Sequence, residues 1–550
     1  MIFPFFLLSA IFIILFIIAH SAKNLVNNYY GLKIFRSDIL DFFLIIYFII
    51  FVTLIFQIIL PAKFLLPILI ISAAIFLIFD KKKFFIYIKK KYLIFCLIFV
   101  VLFFSISNSP IYDTMLYHGQ IINWLGNFAV GKNLTLIDQR LGQVSPWHLF
   151  ISIFNYKINN YNLSNLINYI PFLILIFQTL QIKKNKIILV SDIFLINSCL
   201  FILYFSYIHP FGNGIFLMSL GSIGTDLPAA IFFIFSFYFF IKFFEDKKNE
   251  LSNFIFLLVC CSLATFSRIN YITIYLLVLV ILVYKKDRTF FLYSLVLTLP
   301  IFLLFIFKNY IVSGCLLYPV YFTCNVYADF SLYEIAKNYY EIIQSFNRSG
   351  PSRETFGNYE ITNYSYLWFK EWFLGFFLQT SIFQITYFLI IFSFFKFLFD
   401  YFRYKPFFHN RLIFNSLTVV FLFSNFFLLS APSVRFAYGF IIAFSMYNLT
   451  LLNMKIIHKF FNISKFFILL GLLLISLKNY KNYEYFFYLS KSHQYDYSSL
   501  KFISQKKNIN LFYTNTNDGF CYDVKDICLK SDYIDFKLDK ILFYNISVTK

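Results

Sequence analysis

Long apolar runs recur along most of the chain and constrain its fold more than any other feature. At a rise of about 1.5 Å per residue, a helix needs about 20 apolar residues to cross the hydrocarbon core of a membrane. Fourteen runs approach or reach that length: 2–19, 39–60, 62–79, 92–107, 163–181, 187–208, 226–244, 251–266, 269–284, 289–307, 374–399, 412–430, 434–453 and 463–477. The sequence therefore predicts an all-α polytopic integral membrane protein with about 12–14 transmembrane helices.

Composition excludes the soluble classes. Only 13% of the 550 residues are charged and 60% are hydrophobic, whereas soluble domains carry about a quarter charged residues. The 83 Phe and 42 Tyr accompany high Ile, Lys and Asn, a mixture that an A/T-rich coding sequence produces. We therefore interpret few of these aromatic side chains as ligand-stacking groups.

The basic residues predict an orientation. Six lysines lie in the connection 80–91, and the positive-inside rule places that connection in the cytoplasm. Counting alternate connections from there puts the other short basic loops on the same side and both termini outside. The net charge of +21 then reflects orientation in a plasma (inner) membrane, and no nucleic-acid partner is implied. The first run could instead be a signal-peptide core, but it lacks a basic flank and a cleavage site.

This threading divides the chain into six segments. Transmembrane helices are predicted in 1–107, 163–307 and 374–477, with large external loops in 108–162 and 308–373. The polar segment 478–550 contains two strand-like stretches, 508–516 and 541–548, and is predicted to be a small external α/β appendage.

Four of the eight cysteines lie in the predicted external segments, as two pairs that are close in sequence: Cys315 with Cys324, and Cys521 with Cys528. Disulfides suit an oxidising compartment. We expect a disulfide for Cys521 and Cys528, whereas free thiols are the favoured alternative for Cys315 and Cys324. Neither pair resembles a four-ligand zinc site, so no metal site is predicted.

Two acids lie at the outer mouths of predicted spans. Asp113 follows the fourth run and precedes His118 by five residues, so a bent helix entry would bring both into one cleft. A carboxylate there can take a proton from an attacking hydroxyl, with a neighbouring base or acid assisting. Asp226 begins a later run. Each acid could instead simply start a helix, but charge at membrane depth is costly and tends to be functional.

Three cations are predicted near the outer surface, against the positive-inside bias: Arg268, Lys308 and Arg435. Arginine and lysine bind phosphate well. The alternative for each is a side chain that extends to the lipid headgroups. Together with the acids, these cations suit a lipid-linked phosphate substrate and an acceptor hydroxyl activated by Asp113.

The order of short motifs also resembles a known group. The residues that carry the resemblance are Tyr112-Asp113, His118, Trp124, Gly131, Asn133-Leu134, Arg140-Leu141-Gly142, Ser145-Pro146-Trp147, 225–228, 308–314, Tyr318-Pro319, 432–436, Cys521-Tyr522 and Cys528. They look like an uncharacterised group of bacterial multi-pass membrane proteins that is similar to the GT-C superfamily of polyprenyl-phosphate-sugar glycosyltransferases.

The resemblance implies specific roles. Asp113 would be the catalytic base in the first large external loop, Asp226 the second acid, and Arg140 a further substrate-binding residue. Four predicted spans precede Asp113 where GT-C enzymes commonly have one, no paired acids occur, and Lys308 stands where Arg is expected. One carboxylate per loop with His118 leaves room for a divalent cation but does not require one.

The sequence therefore predicts a GT-C-like membrane glycosyltransferase. It would transfer a sugar from a polyprenyl-phosphate-linked donor in the lipid bilayer to an envelope glycan or lipid acceptor on the external face. No nucleotide-binding motif is present and no cofactor is predicted. Two alternatives are an envelope-polysaccharide polymerase or ligase that depends on Arg and His, and a transporter or flippase of lipid-linked substrates. The run centres are nearly free of charge and show no clear repeat, which disfavours transport.

Overall fold

A computed structural model describes most of the chain. The described residues are 2–30, 41–78, 117–136, 139–158, 161–182, 189–208, 223–326, 330–349, 357–358, 360–373, 391, 395, 408–428, 434–459, 461–481, 500–506, 509–514 and 527–530. Asp113 and the predicted run 92–107 lie outside the described residues, as does most of the run 374–399.

The protein is mostly helical, as predicted. Twelve of the fourteen predicted runs form helices. The helices are α1 (Ile2–Tyr30), α2 (Asp41–Phe56), α3 (Ala62–Ile78), α4 (Gly119–Asn127), α5 (Pro146–Ser152), α6 (Tyr169–Gln181), α7 (Val190–Ile208), α8 (Asp226–Glu245), α9 (Glu250–Ser267), α10 (Tyr275–Lys285), α11 (Arg288–Ser313), α12 (Phe330–Arg348), α13 (Leu367–Trp372), α14 (Phe408–Leu428), α15 (Val434–Lys459) and α16 (Phe461–Lys481).

Four helical segments within the described residues are long and apolar enough to cross a membrane: Leu163–Gln181, Asp226–Glu245, Lys247–Ser267 and Arg288–Ser313. Several ends differ from the predicted runs. α1 continues to Tyr30 and α11 continues to Ser313, because polar residues extend a helix beyond its apolar part whenever no Gly or Pro stops it.

The antiparallel hairpin of α8 and α9 forms the centre of the bundle. A 3₁₀ turn, Lys247–Asn249, joins the two helices, and nearly all of their side chains are buried. Phe239 of α8 stacks on Phe256 of α9 with ring centroids 5.2 Å apart. Helices α7 and α15 pack on α8, and α2 packs on α9. Many of the described phenylalanines are therefore buried in the core.

Helix α11 lies at the edge of the bundle. Val296, Leu303 and Phe307 are at least half exposed, at 67%, 54% and 50%, while Lys308 on another face is only 3% exposed. Its C-terminal end is a left-handed Gly314 with φ 72°. One helix therefore presents an apolar face to the surroundings and a buried cation to the protein.

A covalently closed loop follows α11. Cys315 and Cys324 form a disulfide, contrary to the expectation of free thiols. Backbone hydrogen bonds also pair the two arms of the loop, from Leu316 N–H to the Thr323 carbonyl and from Asn325 N–H to the Gly314 carbonyl. This pairing brings the two sulfurs together. The sequence separation of nine residues does not by itself predict the disulfide.

The strands form two small sheets. β1 (Lys157–Ile158) pairs antiparallel with β2 (Tyr161–Asn162). Near the C-terminus, β3 (Leu500–Lys506) pairs antiparallel with β4 (Ile509–Thr514), and β5 (Ile527–Lys530) lies parallel to β4. The strand predicted at 508–516 is thus present. Cys528 lies in β5, whereas Cys521 and the stretch 541–548 lie outside the described residues.

Candidate functional site

An ion pair closes one end of the central hairpin. Asp226 is the first residue of α8 and follows its N-cap, Thr225, while Arg268 directly follows α9. The Arg268 Nε contacts the Asp226 Oδ1, and only 17% and 11% of the two side chains are exposed. Arg268 therefore bonds within the protein rather than extending to lipid headgroups, and Asp226 is more than a helix start.

The start of α15 is held against this ion pair. The Arg268 guanidinium lies 4.1 Å above the Phe436 ring, an arrangement that stabilises a desolvated cation. Asn270 donates a hydrogen bond to the Phe436 carbonyl at 3.3 Å, and the Gly439 N–H donates to the Tyr271 hydroxyl at 3.0 Å. The backbone of Arg435, the second residue of α15, therefore lies beside the ion pair. The side chain of Arg435 is outside the described part of the structure.

Lys308 is a buried lysine on the last third of α11, and its amine can bind an anion. Its side chain is 3% exposed, and its Nζ has no hydrogen-bond partner among the described residues. Burying an ammonium without a partner is costly, and such groups occur where a ligand supplies the opposite charge. Lys308 is therefore the strongest anion-binding candidate in the described part of the chain.

The loop after Lys308 packs on the loop that contains Arg140. The Asn133 N–H donates to the Ile311 carbonyl at 3.0 Å, and the Tyr318 hydroxyl donates to the Gln139 carbonyl at 2.6 Å. Gly142 packs so closely on Tyr318 that an added Cβ would lie 2.6 Å from its ring. The two loops that the sequence analysis singled out thus form one structure, with Arg140 half-buried in the 3₁₀ turn Gln139–Gly142.

Two buried histidines, His118 and His148, lie in direct contact. The His118 Nδ1 is 2.9 Å from the His148 Nε2. His118 is 5% exposed and His148 is 2% exposed. Burial lowers the pKa of His148 well below its usual value, and the neighbouring His118, Arg268 and Lys308 lower it further, against an opposing contribution from the Gln143 backbone. His148 is therefore neutral at physiological pH. Arg268 and Lys308 lie close enough to affect its pKa.

Helix α5 is fixed by a capping box that uses the same histidine. The Ser145 Oγ accepts from the His148 backbone N–H at 3.2 Å, and the His148 Nδ1 accepts from the Ser145 backbone N–H at 3.2 Å. Such reciprocal bonds satisfy two donors at a helix start. The sequence analysis did not identify His148, although Ser145-Pro146 before a short apolar stretch is a helix-start signal.

A buried hydrogen-bond chain connects α5 to the residues before Asp226. The Trp147 Nε1 donates to the Asn168 Oδ1 at 2.9 Å, and the Asn168 Nδ2 donates to the Gly224 carbonyl at 2.6 Å. Trp147 and Asn168 are both fully buried. This chain positions the backbone that leads into Asp226 relative to the histidine pair.

Replacing Asn168 by leucine is expected to destabilise the protein by about 2–4 kcal/mol, since two buried partners lose their bonds. Thermal unfolding of the purified protein in detergent measures the loss. Asn168→Asp, which keeps the acceptor for Trp147 but not the donor for Gly224, should lie between the wild type and Asn168→Leu. Equal stability of wild type and Asn168→Leu would contradict this role.

The structure thus pairs Asp226 with Arg268 and His118 with His148, and it places Arg268 and Lys308 near enough to His148 to lower its pKa. The loop of Arg140 packs on the loop after Lys308, and the start of α15 packs on Arg268. His148 and Asn168 were not predicted from the sequence, and Phe436 was noted only as part of the motif 432–436. Within the described residues, no group of three or more His, Cys, Asp or Glu side chains is arranged to hold a metal ion.

These features define a helical protein with apolar helices long enough to cross a membrane and a polar cluster at one end of its central hairpin. The chain belongs to the family described as a domain of unknown function (DUF8201), whose family model matches residues 1–442. All the described residues of the cluster lie within that match. No curated protein and no solved structure matches the chain.

Proposed function

We propose that the protein is a multi-pass plasma-membrane glycosyltransferase. It transfers a sugar from a polyprenyl-phosphate-linked donor to an envelope glycan or lipid acceptor on the external face. The observation that carries the proposal is the buried Lys308, whose Nζ has no partner among the described residues and which lowers the pKa of the buried His148 together with the ion-paired Arg268. An anionic, lipid-linked substrate fits a cation at the end of an apolar helix.

The exposed apolar surface supports insertion in a membrane. Soluble monomers rarely expose contiguous apolar patches larger than a few hundred Å². Here α11 is only 22% buried over its most apolar stretch, and large side chains of α3 such as Ile71 and Ile78 are 58% and 76% exposed. A hydrocarbon surrounding would cover both helices, as it would cover the remaining apolar runs of the predicted 12–14 spans.

The hairpin supports the orientation. Its turn, with Lys247 and Lys248, lies at the opposite end from Asp226 and Arg268. The basic residues Lys285 and Arg288 flank the next turn, and Lys285 pairs with Glu250 at that same end. The positive-inside rule assigns this basic end to the cytoplasm and the polar cluster to the outside. The sheet of β3, β4 and β5 then belongs to an external C-terminal appendage.

The chemistry follows from the charges. Asp113, on the resemblance to GT-C enzymes, takes the proton of the attacking acceptor hydroxyl. The hydroxyl oxygen bonds to the anomeric carbon as the bond to the polyprenyl-phosphate oxygen breaks, and the phosphate leaves with the extra negative charge. Lys308 and, by its position at the start of α15, Arg435 stabilise that charge. Arg268 contributes mainly by position, because Asp226 already neutralises it.

The test is glycan profiling of a deletion strain. Complementation with wild type should restore the surface and lipid-linked glycans, whereas Asp113→Asn at equal protein level should lower the assembly rate by about 100-fold or more, the usual contribution of a general base. Asp287→Asn, the same change at an exposed aspartate before α11 that can still cap the helix, serves as the control. Unchanged profiles on deletion would refute the glycosyltransferase.

One observation favours a second candidate, an envelope-polysaccharide polymerase or ligase. The pair of buried histidines beside two cations matches an enzyme that depends on Arg and His rather than on Asp. In that case Asp113→Asn should retain glycan assembly while His118→Leu and Lys308→Met abolish it. Loss of activity in Asp113→Asn favours the GT-C-like enzyme.

A further inference from the structure

We propose that Ser145 and His148 are positioning residues that hold His118 in its Nε2–H form, so that His118 is a neutral hydrogen-bond donor and not a base. The role of that donor, to bind an anionic oxygen of the phosphate-bearing substrate, rests on the proposed function. The assignment of the proton does not, because it follows from the hydrogen bonds alone.

The backbone N–H of Ser145 decides which ring nitrogen of His148 carries the proton. A backbone N–H is always a donor, and this one points at the His148 Nδ1 at 3.2 Å. The Ser145 Oγ lies 3.0 Å from the same Nδ1 and can donate or accept there, so the backbone N–H is the contact that decides, and it requires a lone pair on Nδ1. Since His148 is neutral, its single proton lies on Nε2.

The contact between the two imidazole rings then decides which nitrogen of His118 carries the proton. The His148 Nε2 and the His118 Nδ1 are 2.9 Å apart, a hydrogen-bond distance at which one of the two nitrogens carries a proton. That proton belongs to the His148 Nε2, so the His118 Nδ1 accepts. A neutral His118 then carries its own proton on Nε2. A doubly protonated His118 would place two N–H groups against each other.

One competing arrangement exists. The Gln143 backbone favours a proton on His148, and a proton on Nδ1 would reverse the chain: His118 would donate from Nδ1 and its Nε2 would become a base. That arrangement breaks the Ser145 half of the capping box and leaves the Ser145 N–H facing another N–H. The two arrangements thus give His118 opposite chemistry and are distinguishable.

The measurement is ¹⁵N NMR of the full-length protein labelled at its seven histidines in lipid nanodiscs. His118 signals are assigned by their loss in His118→Gln. We expect a protonated Nε2, an unprotonated Nδ1, and no titration between about pH 5 and 8, where free histidine changes charge. A protonated Nδ1 in wild type, or a His118 that titrates in this range, would overturn the proposal.

Two variants separate positioning from folding. His148→Gln keeps a side-chain N–H near the Nε2 position, so His118 should retain the Nε2–H form. His148→Leu removes the donor, so His118 should populate both neutral forms and begin to titrate. Identical His118 spectra in the two variants would also overturn the proposal. If the spectra behave as expected but deletion of the gene leaves all glycans unchanged, the positioning stands and the proposed glycosyltransferase is refuted.

Discussion

Replacing Lys308 by methionine is expected to raise the stability of the protein while it lowers glycan assembly. The Lys308 Nζ is buried with no partner among the described residues, and an unsatisfied buried group costs about 1–3 kcal/mol, more when charged. Methionine has a similar length and no charge, so the folded protein should gain at least about 1 kcal/mol. Thermal unfolding in detergent measures the gain.

The same substitution removes the proposed phosphate ligand. A hydrogen bond to a charged group contributes about 1.5–3 kcal/mol, so transfer from the lipid-linked donor should slow by roughly 10- to 100-fold. Lys337→Met, which changes an exposed lysine of α12, should alter neither quantity. A Lys308→Met protein that is both less stable and fully active would contradict the assignment of an anion site.

Replacing Asp226 by asparagine is expected to have the largest effect on folding. Arg268 would then be a guanidinium with 17% exposure and no carboxylate, and breaking a buried pair on one side costs about 3–5 kcal/mol. The protein should unfold well below the wild-type temperature and accumulate at a lower level in membranes.

A double-mutant cycle tests whether that effect comes from the pair itself. Asp226→Asn combined with Arg268→Gln removes both charges and should be more stable than Asp226→Asn alone, because no charge is left uncompensated. Strictly additive losses would mean that the two side chains act independently. Phe436→Leu supplies a milder perturbation of the same guanidinium, about 1–2 kcal/mol, since it removes only the ring contact.

The length of the apolar runs predicted where most of the described helices lie, because a long apolar run favours a helix. It did not predict helix ends such as Tyr30 of α1 and Ser313 of α11, since these polar turns are stabilised by backbone bonds that hydropathy does not register. The disulfide between Cys315 and Cys324 was missed for a related reason: the cysteines meet through the pairing of loop arms.

The site was predictable only in part. The approach of Asp226 to Arg268 could have been inferred, because one residue begins a run, the other follows the next run, and a short turn makes the two runs antiparallel. His148 gave no comparable signal, since its partner His118 is 30 positions away and the contact depends on how α5 packs. The pairing of Asn168 with both Trp147 and Gly224 likewise depends on packing.

The central hairpin is fastened at both ends. At one end the Asp226 and Arg268 side chains join the start of α8 to the end of α9. At the other, Glu250 pairs with Lys247 and Lys285, and Asn249 bonds to Asp246. Two helices tied in this way cannot slide along each other or splay. The hairpin is therefore held as one unit at both ends, and any movement among the described helices would be carried by the elements around it, such as α15, whose Phe436 ring lies over Arg268.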